Sequence, residues 1–573
     1  MLAALFMFLY LGFAFVRPLA NPDEGRYTEI PREMAQSGDW VTPRLNGVEY
    51  FYKPPLFYWA QAASIKAFGV NRVSARLPNA IFASLGVLLT YVAGRLLYGS
   101  RRTGLIAAFL LGTCGLYLGM AHIVTMDMPL AVFLSGALFA FILAYRQKQN
   151  VARGVWILIF FAFAALALLS KGFMAVLIPA AVIFLFAFVA GPWRFLKHFA
   201  PSDLLWTALG ILIFFAITAP WHILAALANP AGGGVEFFTA SHDGQGFLWY
   251  YVVHEHFLRY IDPATSQRAQ PFYFFFIVAP LGFLPWAFAL PQAFKSAFAG
   301  GFNNARANNP QGLFLTIWAI FIVLFFSVSS SKLIPYVLPI FPALAVITAS
   351  WISKVWKANR AQEIRTAVKI LGGFAVLAGI CAVPVYMILE AKGRVQLEDA
   401  SYGIAVFAVL SVALLIGGIF ALRDIRGNKP KGALLSIFIA WCVFAATFDF
   451  VGALFQRPDS QEFAKVIKGQ MSAGDAVLLM DYGNSQDMPV WLGSPVYVWG
   501  VPEEQSFGFK REEAMHTHRY IESQAELKAL LASGKRVFIV MRNKDIEKYD
   551  KLFGAERLKK LDANKRMSLF SNQ

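Results

Sequence analysis

Charge is what this chain has least of. Only 15% of its 573 residues are Asp, Glu, Lys or Arg, against about 25% in an ordinary soluble domain. With 58% hydrophobic residues and a mean hydropathy of +0.54, most of the chain cannot sit in water. Cysteine is almost as scarce. Cys114, Cys381 and Cys442 all lie inside apolar runs, with no CxxC pair and no Cys/His cluster, which excludes a disulfide scaffold and a zinc module and leaves packed thiols. A phosphate-binding Walker loop and a GxGxxG leading into a helix are also missing, so no nucleotide is expected as substrate. The net charge of +17 would suggest nucleic acid in a soluble protein. Here the excess fits cytoplasmic loops, which collect Lys and Arg, and no nucleic-acid partner is expected.

What is present in quantity is apolar sequence. A membrane span needs about 20 mostly apolar residues. Runs of that kind occur near 1–20, 78–98, 104–122, 128–145, 154–170, 173–190, 204–224, 272–291, 312–328, 333–352, 368–389, 402–421 and 432–454, about thirteen in all. The first has no cleavage-site pattern after it and reads as a span, not a signal peptide. One set of loops holds Arg101–Arg102, Arg146, Lys148, Arg153, Arg194, Lys197, Lys354, Lys357, Arg423 and Arg426, whereas the other holds few cations. The first set is therefore expected on the cytoplasmic side, which leaves residues 455–573 outside.

The expected division is a membrane domain over 1–454 and a soluble one over 455–573. Two long outer loops, 21–77 and 225–271, are dense in aromatic and charged residues, and loops this long in a compact protein are usually functional. Residues Asp23 to Ala35 predict a short helix lying at the membrane interface, with Ile30 and Met34 on one face. In the tail, KVIKGQ, AVLLMDYG, PVYVWGV, AELKALLASG, KRVFIVMRN and DIEKYDKLFG alternate strand-like and helix-like patterns, which predicts a small α/β domain.

Charged groups at membrane depth are expensive, about 2.5–3.5 kcal/mol each on insertion scales, so they are functional candidates by default. They gather at the expected outer ends of the spans: Asp23 and Glu24 after the first, Lys53 before Pro54–Pro55, Asp127 in HIVTMDMPL, Lys171 in LLSKGF, and Lys332 with Tyr336 in SSSKLIPYVLPIFP. His254, Glu255, His256, Arg259 and Arg268 fill the second long loop. Each has a plainer reading. Asp23 and Asp127 can be helix caps, Lys171 and Lys332 can snorkel at turns, and the histidines can be ordinary interface side chains. An HxH without a third ligand is a weak metal signal. Together, acids with Lys and Arg from several loops suit a phosphate-bearing lipid, which Arg grips bidentately and Lys meets as a compact charge. The reading requires these side chains to meet in one cavity open to the outer leaflet.

The acidic pair after the first span, the YFYKPPL that ends the first long loop, the DMPL after the third span and the late SKLIPYVLPIFP resemble the C-type (GT-C) glycosyltransferases with lipid-linked donors. Their order and spacing are most similar to the 4-amino-4-deoxy-L-arabinose lipid A transferases, a branch close to the protein O-mannosyltransferases. The resemblance covers about residues 20–345. In one place it departs: Tyr52 stands where the pattern has an acidic residue. The resemblance implies an α-helical polytopic protein of GT-C type with a small periplasmic α/β domain in the bacterial inner membrane. It implies transfer of aminoarabinose from undecaprenyl phosphate to a lipid A phosphate, with resistance to polymyxin and cationic antimicrobial peptides as the outcome.

On that reading Asp23, Lys53 and Asp127 are the expected catalytic residues. Glu24, Arg26, Tyr27, Tyr50, His256, Arg259, Arg268, Lys171, Lys332 and Tyr336 are the expected substrate contacts. Partners are the undecaprenyl-phosphate sugar, lipid A and membrane lipids, and the chain is expected to be a monomer. No cofactor is required by the chemistry, although a divalent ion at Asp23, Glu24 or the histidines stays open. A protein O-mannosyltransferase or another polyprenyl-phosphate sugar transferase is the alternative enzyme. A transporter fits less well, because the ionisable residues cluster at one face rather than the midplane and no inverted repeat is evident.

Overall fold

The computed structural model describes all residues except 1, 197–199, 230–246, 248, 252–269, 330, 359–360, 393, 396–399, 503–504, 506–507, 510–518 and 554–557. The chain forms two compact units. One comprises Met1–Ala14, Arg76–Ile223 and Val252–Leu454, the other Phe15–Ala75, Leu224–Tyr251 and Phe455–Gln573. The unit that holds residues 455–573 thus also takes in most of the first long loop and the described residues of the second up to Tyr251.

The first unit is helical. Among the described residues, nine helices are long and apolar enough to cross a membrane. Those that bear on the argument are α4 (Arg72–Tyr98), α7 (Asp127–Arg146) and α8 (Asn150–Lys171). Two expected spans are instead helix pairs broken in the middle. Helices α5 (Arg101–Thr113) and α6 (Gly115–Ala121) bend by 67°, and Phe274–Gly282 bends by 101° against Trp286–Ala297. Two further apolar runs form the shorter helices α1 (Leu2–Leu11) and α9 (Met174–Ala190). Each of the thirteen expected runs therefore contains helix, but the number of crossings is not fixed by that correspondence.

The breaks have a physical logic. Pro285 has no N–H to continue a helix, and a broken helix leaves backbone groups that must find partners away from water. The two breaks meet: Gly115 N–H donates to Leu284 O at 2.8 Å, and Trp286 Nε1 donates to Thr113 Oγ1 at 3.0 Å. At the end of α6 the carbonyls of Met120, Ala121 and Ile123 accept from the fully buried Asn79 of α4, at 2.8, 3.1 and 2.9 Å. One side-chain amide thereby satisfies the orphan acceptors of a helix end and anchors the turn that leads into Asp127.

The second unit is built on a six-stranded sheet. Strands β3 (Ala476–Leu479), β4 (Tyr497–Trp499), β5 (Tyr520–Ile521) and β6 (Val537–Arg542) run parallel, and a hairpin of β7 (Lys559–Ala563) and β8 (Met567–Ser571) closes one side, in the order β5-β4-β3-β6-β8-β7. Alternation along β3 and β6 explains the two cores. Val477, Leu479, Phe538 and Val540 face one side with Phe463 and Ile467. Leu478, Met480, Ile539 and Met541 face the other with Leu527, Leu531 and Phe553. Both faces are covered, so the central strands read as continuous apolar runs.

The α/β character expected of the tail is thus present, although β7 and β8 were not expected. Edge strand β7 carries Lys559, Lys560 and Asp562, largely exposed, and lacks the alternation that marks a strand. The first long loop joins this unit through α2 (Asp23–Ser37), the two-residue strands β1 (Arg44–Leu45) and β2 (Val48–Glu49), and α3 (Leu56–Phe68). Val48 is part of the core on one face of the sheet.

Truncation of Ile539, fully buried in the central strand β6, is expected to cost about 2–5 kcal/mol. In Ile539→Ala, hydrogen exchange of the β3 and β6 amides should accelerate accordingly while that of α7 and α8 is unchanged.

Candidate functional site

The expected site residues fall into two groups, one in each unit. The first is organised by α2. It opens after Pro22 with two acids in its first turn, Asp23 and Glu24, where negative charge opposes the helix dipole favourably. Asp23 does not cap the helix: Pro22 occupies the N-cap position. The helix is also not the interfacial one expected. Glu24, Arg26, Glu29 and Arg32 are buried along with Ile30 and Met34, so polar and apolar faces alike are packed within the unit.

That burial is tolerable because the charges are paired. Glu24 has no exposed surface and receives Arg17 through both guanidinium nitrogens at 3.2 Å and the Ala20 N–H at 2.8 Å. It therefore holds the chain that enters α2, which argues against the direct substrate contact expected of it. Arg32 pairs with the fully buried Glu29 at 2.6 Å. Burial, followed by the neighbouring Glu29 charge, raises the Glu33 pKa well above the usual carboxylate range, and Glu33 accepts from Gly47 N–H at 3.0 Å.

Asp23 differs from these acids. Its side chain is 63% exposed and anchored by Arg26 at 2.7 Å. Arg26 also donates to the Tyr50 hydroxyl at 3.1 Å, and its guanidinium carbon lies 5.4 Å from the centre of the Tyr27 ring. Burial disfavours the Arg26 charge, but Tyr50, Tyr27 and Asp23 outweigh it and its pKa is raised. Asp23, Arg26, Tyr27 and Tyr50 are thus one connected cluster.

Beside Tyr50 the ring of Tyr52 stacks at 5.0 Å, and the ring of Tyr250 meets Tyr52 edge-on at 5.9 Å. Phe51 packs on Phe247 at 4.9 Å. The position that departs from the resembled pattern is therefore one layer of an aromatic wall drawn from both long loops. Lys53 follows it, half-buried, before Pro54 and Pro55, the latter at the N-cap of α3.

The second group lies in the helical unit. Lys171, last residue of α8, forms an ion pair with Asp127, first residue of α7. The Asp127 carboxylate also accepts from Thr125 Oγ1 at 2.8 Å. The Lys171 ammonium stands 5.3 Å from the centre of the Tyr336 ring. Three expected residues from three elements are thus joined, and Lys171 does not merely snorkel at a turn. Asp127 is not a cap, since Met126 holds that position without a side-chain bond. Lys332 is 6% exposed, and its ammonium donates to Ser329 O at 2.5 Å and Gln270 O at 2.9 Å. His254, Glu255, His256, Arg259 and Arg268 lie outside the described residues. Among the described residues no group of three or more His, Cys, Asp or Glu is placed to hold a metal.

Sequence reasoning missed several charged groups. His122 is buried between Leu118 O at 2.8 Å and Leu9 O at 3.0 Å, with Asp449 at 3.8 Å. A lone acid in the apolar run 432–454 was the available signal for Asp449. In the other unit, Asp459 accepts a two-pronged contact from Arg72 at 3.0 Å. Burial, then the charge of Asp459, pushes Asp487 up to about 6. Nothing local in DYGNSQDMPV marks Asp487 out, because its partners Asn21 and Ser460 are distant in sequence.

Residues 1–231 match the family described as dolichyl-phosphate-mannose-protein mannosyltransferase. The undecaprenyl phosphate-alpha-4-amino-4-deoxy-L-arabinose arabinosyl transferase 1 of Sodalis glossinidius is 30% identical over 75% of this chain and 77% of its own length. The enzyme of the same description from Aeromonas salmonicida is 27% identical over 88% of this chain and 85% of its own. The crystal structure of ArnT from Cupriavidus metallidurans bound to undecaprenyl phosphate superposes with a TM-score of 0.77 at 25% identity, covering 100% of this chain and 97% of that one.

The Asp127–Lys171 pair generates a double-mutant test. Asp127→Ala and Lys171→Ala should each lower the thermal unfolding midpoint, and the double variant should be less impaired than the sum, with a coupling of about 1–2 kcal/mol. Additive losses would show that the two side chains do not interact.

Proposed function

The chain belongs to the undecaprenyl phosphate-4-amino-4-deoxy-L-arabinose arabinosyl transferases, and on that footing we propose that it moves the aminoarabinosyl group from undecaprenyl phosphate to a phosphate of lipid A. The chain is a multi-pass membrane glycosyltransferase that uses a polyprenyl-phosphate-linked sugar. The observation that carries the fuller reading is the likeness, over nearly all of both chains, to a structure that binds undecaprenyl phosphate. Charged loops on one side of the apolar segments support a site at the periplasmic face of the inner membrane, with the sheet unit on that side. The enzyme works as a monomer.

The reaction balances without an energy source. An oxygen of the acceptor phosphate attacks sugar C1 as the bond from C1 to the undecaprenyl phosphate oxygen breaks. The electron pair leaves with undecaprenyl phosphate, so one unit of negative charge passes from acceptor to leaving group. The acceptor oxygen is already ionised near neutral pH, so a strong general base is less needed than for a hydroxyl. The demand falls on stabilising charge at the departing phosphate.

Lys53 is the first choice for that task, with Arg259 and Arg268 as partners in the second long loop. Asp23, exposed and steadied by Arg26, orients the acceptor or holds the ammonium group of the sugar. Asp127 fixes Lys171, and Lys332 with Tyr336 lines the approach of the lipid phosphate. Cationic side chains supply the charge stabilisation, and no divalent ion is needed. The product is a less anionic lipid A, which weakens the binding of polymyxin and other cationic peptides by simple electrostatics.

The test is mass spectrometry of lipid A from cells with and without the chain. A shift of one aminopentose is expected, and its absence would overturn the acceptor assignment. Modification of a Ser/Thr peptide instead would make this a protein glycosyltransferase, with Asp23 as its base. Asp23→Ala and Lys53→Ala should each reduce turnover by about 10²–10³-fold in protein that inserts normally. Dialysis against EDTA should leave the rate unchanged.

A further inference from the structure

We propose that Asp487, in the turn after β3, is a positioning residue for Asp23: it grips the side chain two residues before Asp23 and presses on the backbone two residues after it. The inference rests on the role given above to Asp23.

The contacts bracket Asp23 from both sides. Asn21 Nδ2 donates to Asp487 Oδ1 at 2.5 Å, and Asn21 Oδ1 accepts from Asp487 N–H at 3.1 Å. A side-chain amide held through both its ends cannot rotate. On the other side of Asp23 stands Gly25. A Cβ there would lie 2.5 Å from Asn21 Oδ1, 2.7 Å from Asp487 N and 3.0 Å from Gln486 C. Only glycine lets the first turn of α2 come so close to the Asp487 backbone.

Asp487 is itself fixed. It is fully buried, and its carboxylate also accepts from Ser460 N–H at 2.6 Å, Ser460 Oγ at 2.8 Å and Trp491 Nε1 at 3.0 Å. With Asn21 that makes four donors aimed at one carboxylate. The neighbouring charges act on the same stretch. Asp459, paired with Arg72, accepts from Leu19 N–H at 3.1 Å, and Glu24 with Arg17 accepts from Ala20 N–H at 2.8 Å. Residues 19–21 and 25 are pinned one after another, and Asp23, exposed like Pro22 beside it, lies between them.

Such a scaffold has a kinetic signature. A small shift of a reacting group can cost about 100-fold in rate while donor binding through other residues is kept. Asp487→Asn turns an amide N–H against the four donors, Asn21→Ala removes the gripped side chain, and Gly25→Ala forces the helix away. In each, kcat should fall by about 10- to 100-fold, with the KM for the undecaprenyl-phosphate sugar changed less than about 3-fold. The double variant Asp487→Asn/Asn21→Ala should be no worse than the poorer single one, because both act through one contact. Full activity in Asp487→Asn, or multiplied losses in the double variant, would overturn the inference. If Asp487→Asn fails to fold, Asn21→Ala and Gly25→Ala carry the test alone.

A second readout does not need the reaction. With Cys114, Cys381 and Cys442 replaced by Ser, a thiol placed by Asp23→Cys can be labelled with a maleimide. Its rate should change several-fold in the Asn21→Ala background, and an unchanged rate would refute the positioning. Asp23→Ala separates the two claims: full activity there removes the catalytic role of Asp23, whereas the labelling result still reports whether Asp487 and Asn21 set its position.

Discussion

A buried charge needs a partner. Removing one member of a buried pair costs about 3–5 kcal/mol, mainly because the other is left stranded. That constraint shapes the helix at the entrance of the second unit, where Glu24 and Glu29 have no exposed surface and each is held by an arginine. It also sorts the acids by purpose. Glu24 is enclosed and engaged by Arg17 and the Ala20 N–H. Asp23, one residue earlier and 63% exposed, forms an ion pair of the kind that adds little stability in water. A group that contributes so little to the fold is free to be placed for chemistry. Two adjacent carboxylates thus divide into an enclosed one and an exposed one.

The same constraint explains how much could be read from the sequence. Apolar runs announced the helices because lipid demands length and hydropathy. Charges at the ends of those runs announced Asp23, Asp127 and Lys171 because such groups are costly there. Periodicity announced the core strands β3 and β6. The pairing of Asp127 with Lys171 was not legible, since 44 residues separate them and only folding makes them neighbours. The break at Cys114 was hidden because the apolar run continues across it, whereas Pro285 was a visible signal for the other that hydropathy alone passes over. Asp487 was invisible for a further reason: three of its four donors come from Asn21 and Ser460, and no local pattern encodes contacts of that span.

Precision in the helical unit comes largely from backbone groups rather than from charge. Two broken helices complete each other where Gly115 N–H meets Leu284 O. Asn79 gathers three carbonyls at the end of α6. These polar contacts lie in an apolar setting where an unmade hydrogen bond is expensive, so they tolerate little displacement. The turn that follows delivers Asp127 to Lys171 with its geometry already restricted. Tyr52 illustrates a different economy: where the resembled pattern has an acid, an aromatic ring stacks on Tyr50 and meets Tyr250, so shape rather than charge sets that wall.

The outer strands of the sheet carry a consequence for assembly. One rim is β5, only two residues long. The other is β7, exposed, charged at Lys559, Lys560 and Asp562, and kinked by an irregular register between Lys560 and Asp562. A foreign peptide looking for a template of unpaired amides would find one rim too brief and the other crooked and cationic. Among the described residues, recruitment of a partner by strand donation is therefore disfavoured on both sides.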